Sequence, residues 1–476
     1  MDSSTGSSGG STLSHWQDWL HFFFFSCWSL RILLSNFSYK VAEEISSYTA
    51  TMSSFQYSTM SPVLQVPFDI ITQIIDVVGE NEDKDLLKKL SLVSHSFLQI
   101  CSKYLFATIE LGDAFFSSER GFIKLLKSRP EVVKYIRKLT YKLGDNNPSF
   151  ADEDRLLSSM LPNFLRSIHH LNYLIITSRL SQKNPDWKEL DSSMTLALLH
   201  LMHLPSINRI DLSLIENFPL SSLIPCVNLL QLEVLYMGHA HEDDDVSFEI
   251  VPSEVMPKLR EFSTTGSSVL ARKLLHAKMQ DGRPAFNPMN LRRLSLYPEN
   301  FEDKSSIRYL LQNAKSLEEL CLQTGLGHSI VGLHDILSPT AYTLKVLHLT
   351  SSFFVHRFTI FDVSTPARQL CEELEAIAGR NVLEALSYTI SVGSGENAED
   401  DGDDFIGTMI QKVGEVLVKL GWSALRLVSF TVFRLARSDR AKSEAVQSLT
   451  DKCLSHISKL ESVQIAFKFS CEVRII

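Results

Sequence analysis

Few residues in this 476-residue chain stand where chemistry would need them. The densest group of potential metal ligands is His239-Ala240-His241-Glu242-Asp243-Asp244. Its H-x-H-x-D spacing lacks the further histidine that would complete a two-metal hydrolytic set. Catalytic zinc needs three placed protein ligands, and no others are evident. No G-x-x-x-x-G-K-[ST], G-x-G-x-x-G or H-E-x-x-H occurs, so neither a phosphate cradle nor a helical zinc pair is encoded. Residues 6–10, GSSGG, match G-x-S-x-G, but without the strand–turn–helix context that would expose a nucleophilic serine. The seven cysteines (27, 101, 226, 321, 371, 453 and 471) are scattered and form no C-x-x-C pair. They read as isolated thiols in a reducing compartment, cytoplasm or nucleus. His169-His170 adjoins an apolar stretch and reads as packing or facing water, and Gly325-Leu326-Gly327 as a turn. No catalytic site, metal site or cofactor is expected, and the chain is not expected to be an enzyme.

The elements around these residues point to binding instead. With a net charge of −9 and no basic run interleaved with aromatics, nucleic acid is not an expected partner. At 44% hydrophobic and 21% charged residues, the composition is that of a globular chain of about three domains. Residues 1–60 read as a disordered leader. Its start is rich in Ser and Gly, and residues 19–34, WLHFFFFSCWSLRILL, form its one apolar segment. A spanning helix needs about 20 apolar residues, and this run is shorter and contains His21 and Arg31. Membrane insertion is therefore not expected, the alternatives being an anchor or a leader upstream of a later start at Met52 or Met60.

Residues 61–111 read as a small helical module. Pro67 and Asp69 suit the first turn of a helix, and Ile70, Ile71, Ile74, Ile75 and Val78 form its apolar stripe. Gly79 is expected to stop it. Asn81 or Asp83 can cap a second helix, with Leu86, Leu90, Val93 and Phe97 on one face and Lys88 and Lys89 towards water. Ser94-His95-Ser96 bends the chain into a third helix through Ile100, Cys101, Tyr104 and Leu105. A bundle this small is marginal alone and needs a neighbour.

This segment resembles an F-box. Val66-Pro67-Phe68-Asp69-Ile70-Ile71 stands where that family opens with Leu-Pro-x-Glu-(Ile/Leu)-(Ile/Leu). Leu92-Val93-Ser94-His95-Ser96-Phe97 stands where it has Leu-Val-Ser-x-x-(Trp/Phe), and Cys101 to Ile109 is similar to the close of F-boxes common in fungi. The sequence departs from the pattern at Val66 and Phe97. The resemblance implies binding to a Skp-type adaptor, and through it to a cullin, with Val66, Pro67, Ile70, Ile71, Ile74 and Leu86 at the interface.

From residue 112 to 476 the form apolar-x-x-apolar-x-apolar recurs, starting at Ile136, Leu171, Ile207, Leu232, Leu259, Leu291, Leu317, Leu344, Leu383, Leu425 and Leu460. Helical patterns precede several of these, at residues 307–313, at 405–420 with Gly421 as a stop, and at 446–457. Strands separated by one helix run parallel, so 136–466 should form one curved parallel sheet with helices outside. The pattern resembles the leucine-rich repeat, which implies an irregular α/β solenoid. The expected fold is thus α/β: a three-helix F-box module followed by a leucine-rich-repeat-like solenoid. The alternative is a doubly wound domain near 112–330 plus a second domain. The acidic runs at 242–245 and 396–404 read as solvated loops.

In such a solenoid, alternate strand residues line the inner face: Lys138, Tyr173, Arg209, Asp211, Tyr236, Arg293, Tyr297, Glu319, Gln323, His348 and Gln464. Arg209, Asp211, Tyr236, Arg293, Tyr297, Glu319 and His348 are the candidates for binding a target protein, because Tyr and Arg most often anchor interfaces. Together the two resemblances imply a substrate-recognition subunit of a Skp–cullin–F-box ubiquitin ligase. The alternative is a leucine-rich-repeat scaffold or membrane-tethered receptor without a ligase role.

Overall fold

The computed structural model describes residues 67–81, 83–112, 117–144, 152–178, 184–237, 257–265, 273–274, 277, 279, 283–296, 304–324, 332–355, 364–394, 401–419, 421–436, 447, 450–451 and 465–475. The leader, the His239–Asp244 cluster, Gly325 to Gly327 and nearly all of the helix expected at 446–457 lie outside them. The chain divides into two compact units, Met1–Gln73 and Ile74–Ile476. The first is described only from Pro67, as the opening turns of helix α1 (Phe68–Glu80), where the Ile70 N–H donates to the Pro67 carbonyl at 3.0 Å.

The second unit continues α1 and adds α2 (Lys84–Ser91) and α3 (His95–Leu105). Asp83 caps α2 by accepting from the Leu86 N–H at 3.0 Å, and Ser94 caps α3 by accepting from Phe97 at 3.3 Å. Each cap satisfies a donor that the helix itself cannot. Ile75, Val78, Leu86, Leu87, Leu90, Ile100 and Cys101 are buried. An ion pair of 2.7 Å between Lys103 and Asp76 joins α3 to α1. Gly79 stands one residue before the end of α1, close to where it was expected to stop the helix, and a Cβ added there would collide with the Tyr104 ring, so close approach constrains it as well. Phe97 belongs to α3 rather than to the face of α2, and Val93 does not line that face either. It follows the end of α2 in a turn and is 59% exposed, beside Leu92 at 86%.

The chain then enters a twelve-stranded parallel sheet. Its strands are β1 (Thr108–Leu111), β2 (Lys138–Leu143), β3 (Tyr173–Ser178), β4 (Arg209–Ser213), β5 (Gln231–Leu235) and β6 (Glu261–Thr265), followed by β7 (Arg293–Leu296), β8 (Glu319–Thr324), β9 (Val346–Val355), β10 (Ala385–Ser394), β11 (Leu427–Ala436) and β12 (Ala466–Ile475). They lie in sequence order, each hydrogen-bonded to the next. The order never reverses, which excludes the doubly wound alternative. Helices α4 (Ser117–Ser128), α5 (Asp152–Arg166), α6 (Ser192–Met202), α7 (Lys304–Asn313), α8 (Leu333–Leu337), α9 (Ser364–Ile377) and α10 (Asp401–Val418) occur in the connections.

One face of the sheet and the helices share a single core. Leu174, Ile210, Leu294, Leu320 and Leu386 from the strands are buried with Leu165, Leu198, Leu311, Leu374 and Met409 from the helices. The alternating residues remain half-buried, as in β3 and β4. This is the period-two pattern of a sheet covered on one side. The turns after α9 and α10 meet closely: the Gly379 N–H donates to the Gly421 carbonyl at 2.7 Å, and both glycines have left-handed φ.

The sheet differs from expectation in four places. It begins at Thr108, within the segment read as the helical module, because Thr108 pairs with Lys138. In β5 Leu232 and Met237 are buried as expected, but Leu235 is half-buried and Leu229 and Val234 are buried instead, since Leu232 pairs with Ile210 and Phe262. The last strand is 466–475 instead of the pattern starting at Leu460. Finally, helix α10 begins at Asp401, so the last part of the acidic run 396–404 is helical, its earlier part lying outside the described residues.

Candidate recognition face

The register of the sheet decides which polar side chains become neighbours. Lys138, Tyr173, Arg209, Gln231, Glu261, Arg293 and Glu319 pair in succession across β2 to β8, each the first residue of its strand. Two residues further along run Asp211, Glu233, Ser263, Ser295, Cys321 and His348. The residue between these two rows in each strand, such as Ile210 or Leu294, is buried against the helices.

Two clusters result. In the first, the Arg209 guanidinium reaches both oxygens of Asp211, at 3.1 and 3.2 Å, and Glu233 on the next strand at 3.2 Å. The Tyr173 hydroxyl donates to Asp211. The Tyr173 ring carries the Arg209 guanidinium 4.4 Å and the Lys138 ammonium 4.6 Å from its centroid. Burial, followed by the bond to Asp211, pushes the Tyr173 phenol well above its usual range. The Asp211 bond holds Arg209 protonated. Burial raises Glu233, and the Asp211 charge adds to it, with Arg209 offsetting part of the rise.

In the second cluster Arg293 spans two strands, reaching Glu319 at 2.8 Å and Glu261 at 3.3 Å. His348 Nε2 lies 3.6 Å from Glu319. The Glu319 bond raises the Arg293 guanidinium above its ordinary value. Partly exposed pairs of this kind contribute about 0–1 kcal/mol each to stability. Their larger consequence is order, since charged forks held in place lose little freedom when a partner arrives.

The sequence-derived target residues thus separate. Arg209 and Asp211 join the first cluster, and Arg293, Glu319 and His348 the second. Tyr236 joins neither: it follows β5 with a left-handed φ of 48° and is 55% exposed. Its N–H donates to the Thr265 carbonyl at 2.6 Å, so a turn rather than the strand places its ring. Tyr297 lies outside the described residues, as does Val66. Of the remaining adaptor candidates, Pro67 is exposed, Ile70, Ile71 and Ile74 on α1 are half-buried, and Leu86 is buried. Glu233 and Glu261 were missed. Glu261 follows Leu259 at the same spacing as Arg209 follows Ile207, a signal present in the sequence. Glu233 was hidden by the displaced β5 pattern.

No family model matches the chain, and no curated protein does. Among the described residues no group of three His, Cys, Asp or Glu is placed to hold a metal, and no helix is long and apolar enough to cross a membrane. Burial pushes the Cys101 and Cys371 thiols up to about 11 and Cys226 up to about 12. A nucleophilic cysteine requires the opposite shift. What the face carries is two clusters of mutually paired charges, one of them around the Tyr173 ring.

Proposed function

We propose that this chain is the substrate-recognition subunit of a Skp–cullin–F-box ubiquitin ligase. In this reading α1 to α3 form the F-box, and the parallel units form an irregular leucine-rich-repeat-like solenoid. The chain performs no chemistry. It holds a target protein near the ligase and raises the target's effective concentration there. The observation that carries the reading is the sequence of parts: a capped helical triplet runs directly into parallel units stacked in chain order. The half-buried isoleucines of α1 leave apolar surface for an adaptor. The Arg209 and Arg293 clusters combine the residue types that dominate protein interfaces. Free thiols at Cys101, Cys226, Cys321 and Cys371 suit the cytoplasm or nucleus.

The test is co-purification of the full chain with a Skp-type adaptor. A complex at micromolar concentrations, about −8 kcal/mol, is expected. The double variant P67A/I70S should lose the complex while the sheet region keeps its amide protection. Absence of a complex with the unaltered chain at micromolar concentrations refutes the reading.

A further inference from the structure

The edge of the sheet at β12 carries an inference that goes beyond the proposed function and is independent of it. β12 runs for ten residues, AFKFSCEVRI, with no Pro or Gly to break it. It pairs with β11 on one side, and among the described residues no strand pairs with the other. The Ala466 N–H donates to the Arg426 carbonyl at 2.8 Å. The backbone groups of 466, 468, 470, 472 and 474 therefore point to β11, and those of the odd-numbered residues point outward, because successive residues of a strand alternate. An edge of this length, unpaired among the described residues, is a template for another strand.

The charges on β12 indicate which strand. Elsewhere on the same face several basic residues are matched with acids across strands, Lys142 with Glu110, Arg209 with Glu233, and Arg293 with Glu261 and Glu319, while Lys138 lies over the Tyr173 ring. Lys468 and Glu472 are exposed, and their partners on β11 are Ser429 and Phe433, so that neighbour offers them no opposite charge. Four residues apart in a strand, they stand about 13 Å from each other, too far to pair within one copy.

We propose that β12 is a self-association edge, which pairs antiparallel with β12 of a second copy about a two-fold axis at Ser470. Outward-pointing residues must oppose outward-pointing residues, which limits the registers to those with an integral centre. Centring on Ser470 sets Lys468 opposite Glu472 twice, in the non-hydrogen-bonded positions where side chains lie closest. Phe469 then faces Cys471. Centring on Cys471 sets Glu472 against Ser470 and leaves its charge unmatched, and centring on Glu472 sets that residue against itself, a like-charge contact. Centring on Phe469 leaves Lys468 against Ser470 and Glu472 against Ala466. The Ser470 register forms about eight main-chain hydrogen bonds, two for each of four outward pairs. Such an isologous contact closes on itself and ends at a dimer.

The experiment is sedimentation velocity on the full chain, with two sets of variants. The unaltered chain should dimerise in the micromolar range. K468E should weaken the dimer at least tenfold, and K468E/E472K should restore it, because the exchange preserves both pairs. In oxidising buffer S470C should form a covalent dimer, since a non-hydrogen-bonded pair brings its Cα atoms to about 4.5 Å, within disulfide range. A466C, on the same strand and face, should crosslink no more than the unaltered chain. A monomer at all concentrations overturns the proposal, and so does a charge exchange that fails to restore the dimer. Equal crosslinking by S470C and A466C overturns the register.

Discussion

Replacing Gly79 with alanine sets helix propensity against packing, and the two give opposite signs. Gly79 lies in the last turn of α1, where alanine is favoured over glycine by at most the helix-interior value of about 0.5–1 kcal/mol. On propensity alone, Gly79→Ala should stabilise the protein. The structure puts the Tyr104 ring where the new methyl would stand. That ring cannot simply swing away. Lys103 lies 4.9 Å over its centroid and pairs with Asp76 at 2.7 Å. Burial and the Asp76 carboxylate together push the Tyr104 phenol up. Forcing a methyl into a packed contact costs about 1–3 kcal/mol. The net expectation is destabilisation by about 1–2 kcal/mol, a factor of about 5–30 in the opening equilibrium. Native-state hydrogen exchange read by mass spectrometry on peptides covering residues 74–105 measures this opening directly. The global melting temperature would dilute it over the whole sheet. Combining Gly79→Ala with Tyr104→Leu should cost less than the two single changes added together, since the ring is the obstacle. Unchanged or increased protection in Gly79→Ala would refute the argument.

Thr264 is 2% exposed in β6, between Val234 and Leu296 in the register, and its hydroxyl meets no partner among the described residues. An unsatisfied buried hydroxyl costs about 1–3 kcal/mol, so Thr264→Val should raise the urea midpoint without changing the slope; a lower midpoint would mean that the hydroxyl is bonded. Gly421 has φ +126°, and a Cβ there would stand 2.8 Å from the Gly379 nitrogen. Gly421→Ala should therefore lower protection in α9 and α10, whereas Gly144→Ala, with no atom of the described residues within 4 Å of its Cβ, should not. Burial pushes the Cys226 thiol up to about 12, so alkylation at pH 8 should require opening of the fold and accelerate only in denaturant. Rapid labelling of Cys226 in the folded chain would contradict its placement.

Much of the fold was legible because burial leaves a local trace. Leu291, Leu294 and Leu296, or Leu317, Leu320 and Leu322, alternate as a one-sided strand must, and each triple is buried where expected. The cap at Asp83, one of two candidates with Asn81, was legible because a cap involves residues only three apart, while Ser94, read as a bend, also proves to be a cap. Where two local readings overlapped, the sequence could not choose. Leu229-Leu232-Val234 and Leu232-Leu235-Met237 are equally apolar, and only pairing with Ile210 and Phe262 selects the first. The phenylalanines of β12 likewise declare themselves only beside Val428 and Phe430. The recognition face divides along the same line. That Arg209 and Asp211 share a face follows from their spacing of two. That Glu233 completes the cluster, and that Arg293 lies between Glu261 and Glu319, depends on strands 22 to 32 residues apart in sequence. Gly79 shows both: its own neighbours mark the helix end that follows one residue later, while the tyrosine 25 positions away that packs against it leaves no local trace. Local patterns record which side of an element is buried, because that side repeats with the element's own period. Which element lies against it is decided by long-range contacts, and those leave no period in the sequence.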